Sequence, residues 1–173
     1  MPRISLSAIV DRMFYRPRYT AFLIIYILVL SIAPVRAENR FIDNGDGTVT
    51  DQKAGLMWAK SDNGHDISWK QAQKWTRTKF PKTISQKYGN WRLPTLRELQ
   101  TLHEEGLKSK AYQADCGFEV KIVKQIRPSC TIIWSSETAM GSPLAFNFYL
   151  GSAFAIDILD NEGCRVLPVR NLK

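Results

Sequence analysis

"NWRLPTLRELQTL", residues 90–102, contains an extended piece, a break and a helix start within thirteen residues. Trp91–Leu93 reads as extended, and Pro94 biases Leu93 away from helical geometry. Thr95 can cap a helix starting at Leu96, and Glu98 three residues later completes a capping box. Leu96, Leu99 and Leu102 then form an inward stripe, and Gly106 offers a stop. Arg92 and Arg97 are expected to pack their stems and pair with nearby acids.

On the N-terminal side, Ser68 to Phe80 predicts a second helix. Trp69, Ala72, Trp75, Thr76 and Phe80 share one side, while Lys70, Lys74 and Arg77 form a narrow stripe on the other. Pro81 ends the element. Further back, the turn cluster Asn44-Gly45-Asp46-Gly47 separates two extended stretches, Arg40–Asp43 and Thr48–Thr50. A turn at Gly55 leads into a third, Leu56–Ala59. A calcium loop would need side-chain oxygens where Gly45 and Gly47 stand, so the Asp/Gly cluster reads as a hairpin turn.

On the C-terminal side, residues 111–130 read as a long irregular loop. Thr131–Ser135 is a strand carrying Trp134. "PLAFNFYL" alternates and turns at Gly151-Ser152. "AFAIDIL" alternates again, with Phe154, Ile156 and Ile158 on one face. After the turn Asp160-Asn161-Glu162-Gly163, "CRVLPVR" reads as a last strand. Three consecutive strands joined by tight turns predict an antiparallel sheet. The expected class is α+β, a twisted antiparallel sheet with two helices.

The first 37 residues stand apart. Arg3, Arg12, Arg16 and Arg18 precede the apolar run Ala21–Leu30, and Val35-Arg36-Ala37 gives a small-residue exit. This is the order of a secretory signal with cleavage after Ala37, and Met13 would serve as an alternative start. A membrane anchor is the rival reading, but a spanning helix needs about 20 apolar residues and this run is shorter. No second apolar stretch of that length occurs downstream. The expectation is therefore an exported, periplasmic or secreted chain whose residues 38–173 form one domain. Removing five basic residues and one acid from 24 and 16 leaves 19 and 15, a net charge of +4 instead of +8.

All three cysteines fall in that domain, and an oxidising compartment permits disulfides. Cys116 with Cys130 is the favoured pair, closing a loop of about 15 residues with a stabilisation of about 3 kcal/mol. Pairings through Cys164 remain open, and the odd count leaves one thiol free or joining two chains. No CxxC or Cys/His spacing suggests zinc, and no cofactor is expected.

Taken together, "NGDGTVTD", "GLMWAK", "NWRLPTLREL", "IIWSSE" and "LPVR" occur in the order found in the Lcl C-terminal domain family, which the chain resembles over Arg40–Arg170. The resemblance implies a compact α+β domain related to the C-type-lectin and sulfatase-modifying-enzyme fold, with Trp58, Trp91 and Trp134 as core aromatics. It also implies a binding module, since the domain in the bacterial collagen-like adhesin binds glycosaminoglycan-like polymers. The adhesin's trimer is not implied, because this chain has no Gly-X-Y tract. Nor is the cysteine-pair copper site of the related enzymes. Arg92 after Asn90-Trp91 departs from the calcium-lectin pattern.

Residues 67–90 hold six basic side chains and no acid. The default for such a run is a solvated helix face. The functional reading is that Lys70, Lys74, Arg77 and Lys79 form a docking stripe for an acidic or sulfated glycan or another envelope component. Export makes nucleic acid an unnatural partner. Catalysis is not expected: His65 and His103 stand in polar or helix-end contexts, Ser135-Ser136-Glu137 lacks a glycine-flanked nucleophile turn, and no acid–base pair is evident. The alternative is an envelope assembly protein acting through protein contacts, with Cys164 available to pair between chains.

Overall fold

Three consecutive short strands, Phe41–Asp43 (β1), Thr48–Asp51 (β2) and Leu56–Ala59 (β3), open the fold as an antiparallel meander. They are seen in a computed structural model that describes residues 39–157 and 162–173. The leader read over residues 1–37 lies outside the described residues. The Asp/Gly cluster is a turn. Asp43 Oδ1 accepts from the Gly45 N–H and Asp46 Oδ1 from the Thr48 N–H, each at 3.0 Å, so both carboxylates are committed to the hairpin.

β3 is buried along its whole length, and its other edge is taken by Val169–Asn171 (β10), again antiparallel. Val49, Trp58 and Val169 stand in register across the three strands and are all but fully buried, forming the middle of the core. At the rim, Asp51 is 1% exposed yet satisfied: the Arg40 guanidinium gives it two hydrogen bonds, at 2.8 and 2.7 Å. A buried carboxylate needs such a partner. Arg40 also reaches Glu105 at 2.8 Å, tying this sheet to the second helix.

That helix, Leu96–Gly106 (α2), starts as its sequence dictates. The Glu98 N–H donates to Thr95 Oγ1 at 3.2 Å, and the Thr95 N–H donates to Glu98 Oε2 at 2.8 Å. Leu99 and Leu102 are fully buried, and Leu96 packs against the core at partial exposure. Gly106 is required for a different reason than a stop signal. It remains helical, and a Cβ there would lie 2.4 Å from the Ile122 backbone, so the glycine permits close approach of two chain segments.

The second sheet has the order β8-β7-β6-β9. Its strands are Ile132–Ala139 (β6), Ser142–Asn147 (β7), Ser152–Ala155 (β8) and Cys164–Arg165 (β9). The hairpins β6–β7 and β7–β8 are antiparallel, as the alternation predicts. The closing segment corrects the sequence reading: "CRVLPVR" is two strands. Cys164–Arg165 pairs parallel with β6, on the edge opposite β7, and Val169 then joins the first sheet. Pro168 lies between them, where a missing N–H costs no ladder bond. Of the face read for residues 154, 156 and 158, Ile156 is buried, Phe154 is 37% exposed, and residue 158 lies outside the described residues.

Trp69–Thr78 (α1) lies on this second sheet, followed by a 3-10 turn at Phe80–Lys82 that contains Pro81. Two indoles anchor it. Trp69 Nε1 donates to the Ser135 carbonyl and Trp134 Nε1 to the Ile67 carbonyl, both at 2.7 Å. Trp58, Trp91 and Trp134 are each at most 2% exposed, in the core role the family resemblance implies.

The segment read as irregular contains a small hairpin, Tyr112–Gln113 (β4) with Glu119–Val120 (β5). The disulfide is Cys116–Cys130, with Cα atoms 5.3 Å apart. Cys164 is 1% exposed within the second core cluster, so another chain cannot reach its sulfur without opening that sheet. The class is α+β, with two α-helices among the described residues and mainly antiparallel pairing. Among the described residues no helix is long and apolar enough to cross a membrane.

Candidate functional site

The sequence of α1 separates apolar from basic positions, and the fold keeps them separated. Ala72 and Thr76 are buried, Trp69 and Trp75 are half-buried, and Lys70, Lys74, Arg77 and Lys79 are all exposed. The ion pairs of the described residues are Arg40 with Asp51 and Glu105, Lys60–Asp43, Arg92–Glu98, Lys108–Glu105 and Arg165–Asp66. None involves any of the six basic residues of segment 67–90. The charge of this face is therefore uncompensated by the protein itself, and its field points outward.

The four predicted residues do not form one patch. Lys70 lies on the ridge alone. Lys74 and Lys79 border a cleft of about 360 Å³ whose other walls include His65, Gln71, Trp75 and Thr78. Arg77 borders a second cleft, of about 540 Å³, with Pro81, Tyr88, Gly89, Asn90 and Arg92. Lys74 and Arg77, less than one helical turn apart, thus belong to different concavities, so α1 is a basic ridge between two clefts.

Helical spacing puts Trp75 in the inward stripe. It packs against both core clusters, yet it also lines the first cleft. Tyr88, Gly89 and Asn90 do not stand out by pattern, although "YGN" before a tryptophan carries a local signal: Asn is among the residues that best tolerate the left-handed region. Asn90 has φ 62°, and the Trp91 Nε1–H donates to the Tyr88 carbonyl at 2.9 Å, fixing the loop. The Arg170 guanidinium of β10 stacks on the Tyr88 ring, 5.2 Å from its centroid.

Arg92 has the structural role expected of it. Its two terminal nitrogens donate to the two Glu98 oxygens at 2.9 and 2.8 Å. Burial disfavours the Glu98 carboxylate, but Arg92 and the Thr95 backbone outweigh it and hold the group below its usual range. His103 is 8% exposed, with Nδ1 2.9 Å from the Lys121 carbonyl, and belongs to the core. Ser135 Oγ donates to the Leu144 carbonyl. His103 and Ser135 thus lie on different partners and are not brought into one constellation.

A family model described as the Lcl C-terminal domain matches residues 47–170, from the first hairpin turn to β10. The chain belongs to this family. The match takes in the first sheet apart from β1, the second sheet, both described helices and every residue of the two clefts, so the basic ridge is part of the Lcl C-terminal domain of this chain. No curated protein matches the sequence.

Proposed function

We propose that this Lcl C-terminal domain is an exported, non-catalytic module that holds acidic or sulfated polymers, such as a glycan or other envelope material, against the ridge of α1. The observation that carries the reading is the set of six basic side chains between residues 67 and 90 with no acid in the segment and no ion pair to any described residue. Elsewhere five of the thirteen basic side chains of the described residues have found carboxylates, and segment 67–90 is where unpaired cations are gathered with no acid among them. Unpaired cations on a rigid helix attract polyanions over a Debye length, about 8 Å at physiological salt. The disulfide agrees with an oxidising compartment. The mixed sheets with two helices also agree with a C-type-lectin-like arrangement.

Heparin provides the test. Retention on an immobilised heparin column should fall steeply with salt, and replacing Lys70, Lys74 and Arg77 together by Glu should abolish it. Salt-insensitive retention, or a triple variant that binds as well as the parent, overturns the proposal.

A second reading, protein-mediated assembly, draws on one feature. Phe118 and Tyr149 are 57% and 44% exposed with ring centroids 6.2 Å apart, and Leu150 beside them is 67% exposed. Such apolar exposure suits a protein contact. The burial of Cys164 argues against a disulfide as its means.

A further inference from the structure

We infer that the cleft between α1 and the 88–92 loop is a discrete receptor for one carboxylate-bearing sugar ring, distinct in chemistry from the lysines of the ridge. This rests on the polyanion reading of the same face and adds a subsite to it.

The cations of the cleft differ in what already holds them. Arg92 has both terminal nitrogens on Glu98, and one of them also donates to Asn171 Oδ1 at 3.0 Å. Its charge is neutralised in place. Arg77, on the opposite wall, makes no ion pair among the described residues and is exposed. Outside the lining, Arg170 lies against the Tyr88 ring and brings a second positive charge near the cleft, and its Nε is buried with no hydrogen-bond partner. The cleft therefore has an excess of positive charge with a single accessible guanidinium fork. A fork of that shape matches the two coplanar oxygens of a carboxylate.

The remaining walls suit a ring. Tyr88 presents an aromatic surface held from below by Arg170, and Pro81 adds an apolar side. Trp91, at 2% exposure, supports the loop from within. Asn90 carries an exposed amide with no hydrogen bond to any described residue, which leaves both its donor and its acceptor for hydroxyl groups. It does so from a left-handed backbone conformation, a strain that tends to be retained where side-chain placement matters. A cleft of about 540 Å³ is within the range of small-ligand sites. A sulfate ester has a third oxygen to satisfy, and with Arg92 committed the cleft offers Arg77 alone as a charged donor, so carboxylate is preferred.

The experiment titrates glucuronate into the isotope-labelled protein, with methyl glucoside and a sulfated sugar of the same ring size as comparisons. The expected result is saturable amide shifts at Gly89 and Asn90 with glucuronate, weaker by about tenfold for the neutral ring, as for loss of one hydrogen bond to a charged group. Arg77→Gln should weaken glucuronate by the same factor, and Asn90→Gly, which keeps the backbone and relieves its strain, should weaken it measurably. Lys70→Gln with Lys74→Gln, which adds no carboxylate beside Arg77, should leave glucuronate binding unchanged while reducing heparin retention. Shifts on another face, an equal response to the neutral or sulfated ring, no saturable response, or an Arg77→Gln variant that binds like the parent each overturns the assignment. Heparin retention surviving any of these would leave the polymer reading standing without the subsite.

Discussion

The two helices are nearly the same length, ten and eleven residues, and each places an apolar stripe on the core, but they treat charge in opposite ways. α2 holds most of its charges within the fold, although Arg97, expected to pair with a nearby acid, is exposed and makes no ion pair among the described residues. Its first turn is capped by Thr95, Glu98 is clamped by Arg92, the Leu96 N–H is met by Glu137, and Glu105 near its end is shared by Arg40 and Lys108. α1 leaves three cations on its surface without an ion pair among the described residues, and Lys79 at its C-cap is a fourth. The first pattern holds a fold together. The second adds little to stability, and under the proposed reading it faces a polyanion outside the molecule.

The contrast between the helices can be broken at several strengths. Leu99→Ala on α2 removes a fully buried side chain and should cost about 2–5 kcal/mol in denaturant unfolding. Thr95→Ala should cost about 1 kcal/mol by losing the cap, read from the same midpoint. Glu98 gives the contrast a pH dependence. Its folded pKa is lowered, so its contribution is present above the unfolded value of about 4.3 and is lost as pH falls through the folded one. Glu98→Gln should flatten the stability–pH curve in that acid window, whereas Lys74→Gln should leave it unchanged. Smallest of all, exchanging Lys70, Lys74 and Arg77 for Glu should shift stability by no more than about 0.5 kcal/mol while removing heparin retention. A triple variant that unfolds as readily as Thr95→Ala would show that α1 is as structurally engaged as α2.

Much of this was legible in the sequence because the deciding signals are local. The Pro94-Thr95 break with Glu98 three residues on specifies the start of α2 by hydrogen bonds within one turn. The Asn/Asp/Gly turn does the same for β1 and β2. The Cys116–Cys130 pairing agrees with loop length. The features that were not legible depend on distant partners. A two-residue parallel strand at Cys164–Arg165 has no periodicity of its own and exists only because β6 offers an edge. Gly106 looks like any helix terminator until the Ile122 backbone is seen against it. The ridge was visible as spacing, but its division into two clefts was not, since the second cleft needs Tyr88, Gly89 and Asn90, from a loop that the helical pattern does not include.

The path from β9 to β10 has one more consequence. Within eight residues the chain lends an edge partner first to the second sheet and then to the first, and between them Leu167 and Pro168 are buried. Neither sheet reaches its final width before that stretch arrives, so the last edge of each is completed by the same closing segment.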